Sequence, residues 1–148
     1  MKHSRFLDKQ AHGVFIITTT SFTQDGSIDF DSVDSLIEFY LEKGVSGMTI
    51  LGMMGEATKL STNESESFVK HVIQRVNDRI PVVVGVSDAG LSNLVRLARF
   101  SMDAGCAGVM VAPISGLNTD HKLYGYFAQV FDALGPDVPV CYQDYPQS

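Results

Sequence analysis

At 148 residues the chain is long enough for one domain, and its 45% hydrophobic content supports a sizeable core and argues against disorder. A net charge of −6, from 11 basic and 17 acidic residues, disfavours nucleic acid and anionic membrane as partners, because phosphate binding rests on clustered Lys and Arg. No apolar run approaches the roughly 18 residues of a membrane span and no secretory leader is visible, so the expectation is a cytoplasmic protein, with Cys106 and Cys141 reduced and buried in apolar segments.

Short apolar runs predict strands at 14–18, 48–52, 81–86, 108–112 and 138–142. None alternates strictly, which suits strands covered on both faces. Between them lie four amphipathic stripes. Val33, Leu36, Ile37, Tyr40 and Leu41 form the first, and Phe68, Val69, Val72, Ile73 and Val76 the second. Leu94, Leu97, Ala98 and Met102 form the third, and Leu123, Phe127, Val130, Phe131 and Leu134 the fourth. Each predicts a helix with one face on the sheet.

The punctuation agrees. Asp25-Gly26 marks a turn before the first helix. Ser61 with Glu64 fits a capping box before the second. Gly44, Gly105 and Gly135 follow the first, third and fourth helices, where a left-handed cap favours glycine. Glu42-Lys43-Gly44-Val45-Ser46-Gly47 also echoes Asp103-Ala104-Gly105-Cys106-Ala107-Gly108, two βα units later.

Strict βα alternation implies a parallel sheet with right-handed crossovers in one domain, 1–148. The first strand-to-helix loop lacks a GxGxxG fingerprint, which argues against an open dinucleotide-binding sheet. A closed barrel takes eight units and about 250 residues, so the reading is about the first half of a (β/α)8 TIM barrel, from the first strand to the fifth.

In such barrels the working residues sit at the C-terminal ends of strands. Gly52-Met53-Met54-Gly55-Glu56 follows the second strand, and its glycine bracket can turn backbone N–H groups toward a small anion such as a carboxylate; a plain tight turn is the alternative. His3, His12, His71 and His121 are far apart, and no metal-ligand spacing or GxSxG motif appears, so no metal site is expected.

Gly52-x-x-Gly55-Glu56, continued by Leu60-Ser61 and Glu64, resembles the GxxGE signature of the dihydrodipicolinate synthase / N-acetylneuraminate lyase family. Four further landmarks follow the family's order. Gly13-Val14 leads to Thr18-Thr19-Thr20-Ser21-Phe22, and Arg79-Ile80-Pro81 leads to Val82-Val83-Val84-Gly85-Val86. Ala104-Gly105 leads to Ala112-Pro113, and Pro139-Val140 leads to Pro146. The resemblance implies a lyase acting on pyruvate or a 2-keto-3-deoxy sugar acid. In this family a sixth-strand lysine forms a Schiff base, the GxxGE loop holds the substrate carboxylate and no cofactor is used. A homodimer or homotetramer is implied as well.

The chain departs from that pattern in three places. Met53 and Met54 stand where hydroxyl residues are common. Gln143, with Asp144 after it, holds the position of the fifth-strand tyrosine, which suits the sugar-acid branch; an amide can orient a water or hydroxyl but cannot act as a general base. Strand alternation turns Tyr142 and Tyr145 away from Gln143. Pro113-Ile114-Ser115-Gly116 lacks the aromatic expected after the fourth strand. The lysines are Lys2, Lys9, Lys43, Lys59, Lys70 and Lys122, and none falls in a predicted strand, so the Schiff-base lysine is expected beyond Ser148 and this stretch alone is expected to be inactive. Two other readings stand beside the lyase: a non-catalytic half-barrel that self-associates and binds a small acid, and a barrel of another chemistry such as a phosphate-sugar isomerase.

Overall fold

The computed structural model describes residues 6–144. Five parallel strands, β1 (Phe15–Ile17), β2 (Gly47–Ile50), β3 (Val82–Gly85), β4 (Gly108–Val111) and β5 (Val140–Tyr142), alternate with α1 (Phe30–Glu42), α2 (Thr62–Val76), α3 (Leu91–Ala104) and α4 (Asp120–Leu134). The strands lie side by side in chain order. A doubly wound sheet reverses its order at a switch point, and this one does not, which is the topology of a barrel wall.

All five predicted strands and all four helices form, each strand one or two residues shorter than its apolar run. Pairing ends sooner than hydrophobicity does, because the chain bends into loops while its side chains are still buried: Val86 and Ala112 are buried beyond the last paired residues. Strands β2, β3 and β4 are buried on both faces, whereas β1 and β5, with one neighbour each, are partly exposed.

The register sorts the two faces. Met48, Ile50, Val82, Val84, Val109 and Val111 point to the helices and join Val33, Ile37, Phe68, Val69, Val72, Leu94, Ala98, Val130 and Leu134 in one apolar core. Ile17, Thr49, Val83 and Gly108 are partners across the opposite, concave face, as are Gly85, Met110 and Cys141. This corrects the expectation for Cys141. Cys106 is buried, but Cys141 lies on the concave side of an edge strand and is exposed. Phe131 is a second correction. It belongs to the α4 stripe yet is 50% exposed, because it faces a groove of about 530 Å³ beside β5 at the open edge of the sheet, lined also by Pro136, Val138 and Val140.

Caps close the helices as their sequences require. Asp29 accepts from the Ser32 N–H at the start of α1, and Ser61 and Glu64 form the reciprocal capping box of α2. Gly44, Gly105 and Gly135 all have positive φ at the ends of α1, α3 and α4. The Ser32 hydroxyl holds the Asp29 carboxyl below the usual carboxylate range, and the Ser61 hydroxyl does the same for Glu64. Arg79, bonded to Glu38 at 2.9 Å, lowers that carboxyl too. Because these values are lowered by folding, the stability they contribute is fully present above their ordinary range near pH 4 and is lost as pH falls through the folded values. The expected result is a urea midpoint that is flat from about pH 7 to 5 and declines toward about pH 3; a midpoint that rises in acid would contradict it.

Candidate functional site

Strand β2 ends at a kink. Leu51 is buried, with only 3% of its surface exposed, yet adopts φ 54 in the left-handed region, which a branched side chain rarely occupies. The kink throws the chain across the end of β3, where Gly85 receives it. A Cβ on Gly85 would stand 2.3 Å from the Leu51 carbonyl oxygen, so only glycine leaves room.

The 52–56 loop that follows is a pair of overlapping turns. The Gly55 N–H donates to the Gly52 carbonyl at 3.0 Å, and the Glu56 N–H to the Met53 carbonyl at 3.1 Å. This narrows the expectation of a run of outward N–H groups. Two of the loop's amides are consumed inside it, and among its described residues the N–H groups of Gly52, Met53 and Met54 meet no carbonyl, the last two at its crown. Gly55 is glycine for local packing, since a Cβ there would lie 3.1 Å from the Leu51 nitrogen. Gly52 turns toward the concave face, where a Cβ would meet Ile17 and Met110. Glu56 has φ 53, and its carboxylate is ion-paired and hydrogen-bonded to Lys59 at the surface.

The structure brings a residue from the loop after β1 to this loop. The Thr20 hydroxyl donates to the Gly55 carbonyl at 2.7 Å, and Thr20 is 6% exposed. Ser87, after β3, receives the Ala112 N–H at 2.8 Å and ties the β3 and β4 ends together. In the sequence Thr20 and Gly85 stand only as landmarks of the resemblance, and Ser87 belongs to no motif. No local signal marks them, because their partners lie 25 or more positions away.

Gln143 extends the β5 ladder, its N–H donating to the Val111 carbonyl at 3.0 Å, and the alternation after Cys141 carries it to the concave side. Tyr142 faces the helices as expected, its ring edge-on to Phe127 at 4.9 Å. Tyr145 and Pro146 lie outside the described residues. Gln143 and the 52–56 loop thus share the C-terminal end of the sheet with β3 and β4 between them. Met48 is fully buried in the core, while Met53 and Met54 are 56% and 60% exposed.

Lys9, Lys43, Lys59, Lys70 and Lys122 all lie in loops and helices, and none is on a strand. Lys2 is outside the described residues. Burial pushes the Tyr126 phenol up, with the charge of Asp88 adding to it, which keeps that hydroxyl protonated at neutral pH. Among the described residues no group of three His, Cys, Asp or Glu side chains is placed to hold a metal ion, and no helix is long and apolar enough to cross a membrane.

Comparison with known proteins agrees with this geometry. The model of the dihydrodipicolinate synthetase family matches residues 10–146. The 4-hydroxy-tetrahydrodipicolinate synthase of Ralstonia nicotianae is 30% identical over 138 residues, which is 93% of this chain and 46% of that protein. A dihydrodipicolinate synthase crystal structure from Rhodopseudomonas palustris superposes with a TM-score of 0.93 at 47% identity, over 98% of this chain and 48% of that one. YagE, an E. coli K12 prophage protein of the dihydrodipicolinic acid synthase family solved in complex with pyruvate, gives 0.79 at 29% identity, over 90% and 45%. The chain therefore spans about half the length of the relatives it matches. With five parallel strands in chain order, helices on one face and a family match over nearly every residue, this chain is the first half of a TIM barrel and belongs to the dihydrodipicolinate synthetase family.

Proposed function

We propose that this chain forms the substrate-carboxylate half of a lyase acting on pyruvate or a 2-keto-3-deoxy sugar acid, and that the Schiff-base lysine comes from barrel units outside these 148 residues. One observation carries the reading: the crown of the 52–56 loop, at the C-terminal end of β2, keeps two N–H groups without carbonyl partners among the described residues. Backbone amides grouped in this way suit a carboxylate. The pyruvate bound in the YagE structure supports a 2-oxo acid as the ligand.

On this reading a neutral lysine amine attacks the 2-oxo carbon and water leaves. The resulting protonated imine accepts the electrons of the bond that breaks at the neighbouring carbon. Methionines 53 and 54 offer only backbone N–H groups, so the loop binds and orients without relaying protons. Gln143 would orient a water or a substrate hydroxyl. The reading extends to a cytoplasmic homodimer or homotetramer. The self-associating half-barrel is disfavoured by strand number, because two copies of five strands bring ten to a barrel built from eight.

Borohydride trapping with pyruvate tests it. The 148-residue chain should yield no adduct, because its described lysines are all exposed, in loops and helices, and none is desolvated on a strand. The same chain continued through its remaining units should trap pyruvate, or a 2-keto-3-deoxy acid, at one lysine beyond Ser148. A stoichiometric adduct on Lys43, Lys59 or Lys122 would sink the proposal.

A further inference from the structure

We infer that Thr20 is the positioning residue of the 52–56 loop, setting the direction of the Met54 N–H through two rigid peptide planes. The inference rests on the reading of this loop as the carboxylate site. Each link is on the molecule. The Thr20 hydroxyl donates to the Gly55 carbonyl at 2.7 Å. That carbonyl and the Glu56 N–H belong to one planar peptide, so holding one end orients the other. The Glu56 N–H donates to the Met53 carbonyl at 3.1 Å. The Met53 carbonyl and the Met54 N–H belong to a second planar peptide, whose N–H points opposite to its carbonyl. The first member of the relay sits 35 residues before Gly55, on the neighbouring strand's loop, where it is 6% exposed.

The loop needs such a hold. It begins at the left-handed Leu51, and a backbone in a sparsely populated conformation persists only where its surroundings over-determine it. Gly85 supplies one constraint, because its missing side chain leaves only enough room for the Leu51 carbonyl to pass close by. Thr20 supplies the other at the far end of the turn. Removing the hydroxyl leaves the Gly55 carbonyl buried without its donor, and the loop gains freedom at the amide that faces the ligand.

The experiment uses the complete barrel and the Thr20→Val and Thr20→Ser variants. Thr20→Val keeps the shape and loses the donor. It should raise the KM for pyruvate about three- to tenfold with kcat within about twofold, and Thr20→Ser should return KM to within about twofold of wild type. A second measurement needs no ligand. Hydrogen exchange at the Glu56 amide should be faster in Thr20→Val and wild-type-like in Thr20→Ser. A wild-type KM in Thr20→Val, equal impairment in both variants, or unchanged exchange at Glu56 overturns the relay. A wild-type protein that binds no 2-oxo acid sinks the functional reading, and the exchange data then decide the positioning role alone.

Discussion

Gly85→Ala should unseat the candidate site and weaken the fold together. The added Cβ would lie 2.3 Å from the Leu51 carbonyl oxygen, 2.8 Å from its carbon and 3.2 Å from the Gly52 nitrogen. All three are backbone atoms, so no side chain can swing aside. Either β3 shifts outward or the Leu51 kink opens. Forcing extra volume into a packed position costs about 1–3 kcal/mol, and here the relaxation falls on the one segment that carries the loop. In the complete barrel the expected outcome is that loss in urea denaturation together with at least about a tenfold loss of 2-oxo acid affinity by calorimetry. A variant that unfolds at the wild-type urea midpoint would show that the close approach at Gly85 is not a constraint.

Phe68→Ala should have the larger effect on stability and little effect on the site. Phe68 is 1% exposed, in the middle of α2, and packs in the core formed by α1, α2 and the helix-facing side of the sheet, near Met48, Ile50 and Val72. Deleting a buried phenyl ring removes its transfer free energy and leaves a cavity, about 3–5 kcal/mol in all. The ring lies on the opposite side of the sheet from Gly52 and Met110, so the fraction that stays folded should bind pyruvate as wild type does. A cost below about 1 kcal/mol would mean that the core collapses around the gap. Lost affinity in the folded fraction would mean that the sheet transmits the repacking to its concave face. The contrast between the two variants separates what holds the fold from what holds the loop.

Element identity was legible in the chain because it depends on local patterns. Apolar runs covered on both sides became β2, β3 and β4, and the stripe of Phe68, Val69, Val72 and Val76 became the buried face of α2. The Ser61 and Glu64 capping box and the positive φ of Gly105 were legible for the same reason, since a cap is settled within a few residues. Strand order is not local, and only the pairing of β1 through β5 in sequence separates a barrel wall from a doubly wound sheet.

Of the site, the motif was readable and the mechanics were not. Gly52 to Glu56 announced a turn, but the tertiary structure decided which amides stay open: Gly55 and Glu56 spend theirs inside the loop, and Met53 and Met54 do not. The same holds for Cys141, whose apolar neighbours suggested burial although it lies on the concave side of the last strand. Thr20 and Gly85 had no visible role because each acts on a segment more than 30 residues away, Thr20 through a hydrogen bond to Gly55 and Gly85 through a missing side chain beneath Leu51. Hydrophobic period and caps are properties of neighbours along the chain, so the elements and the family could be read from the residues in order. Close approach and hydrogen-bond satisfaction are properties of neighbours in space, and only the folded chain could decide them.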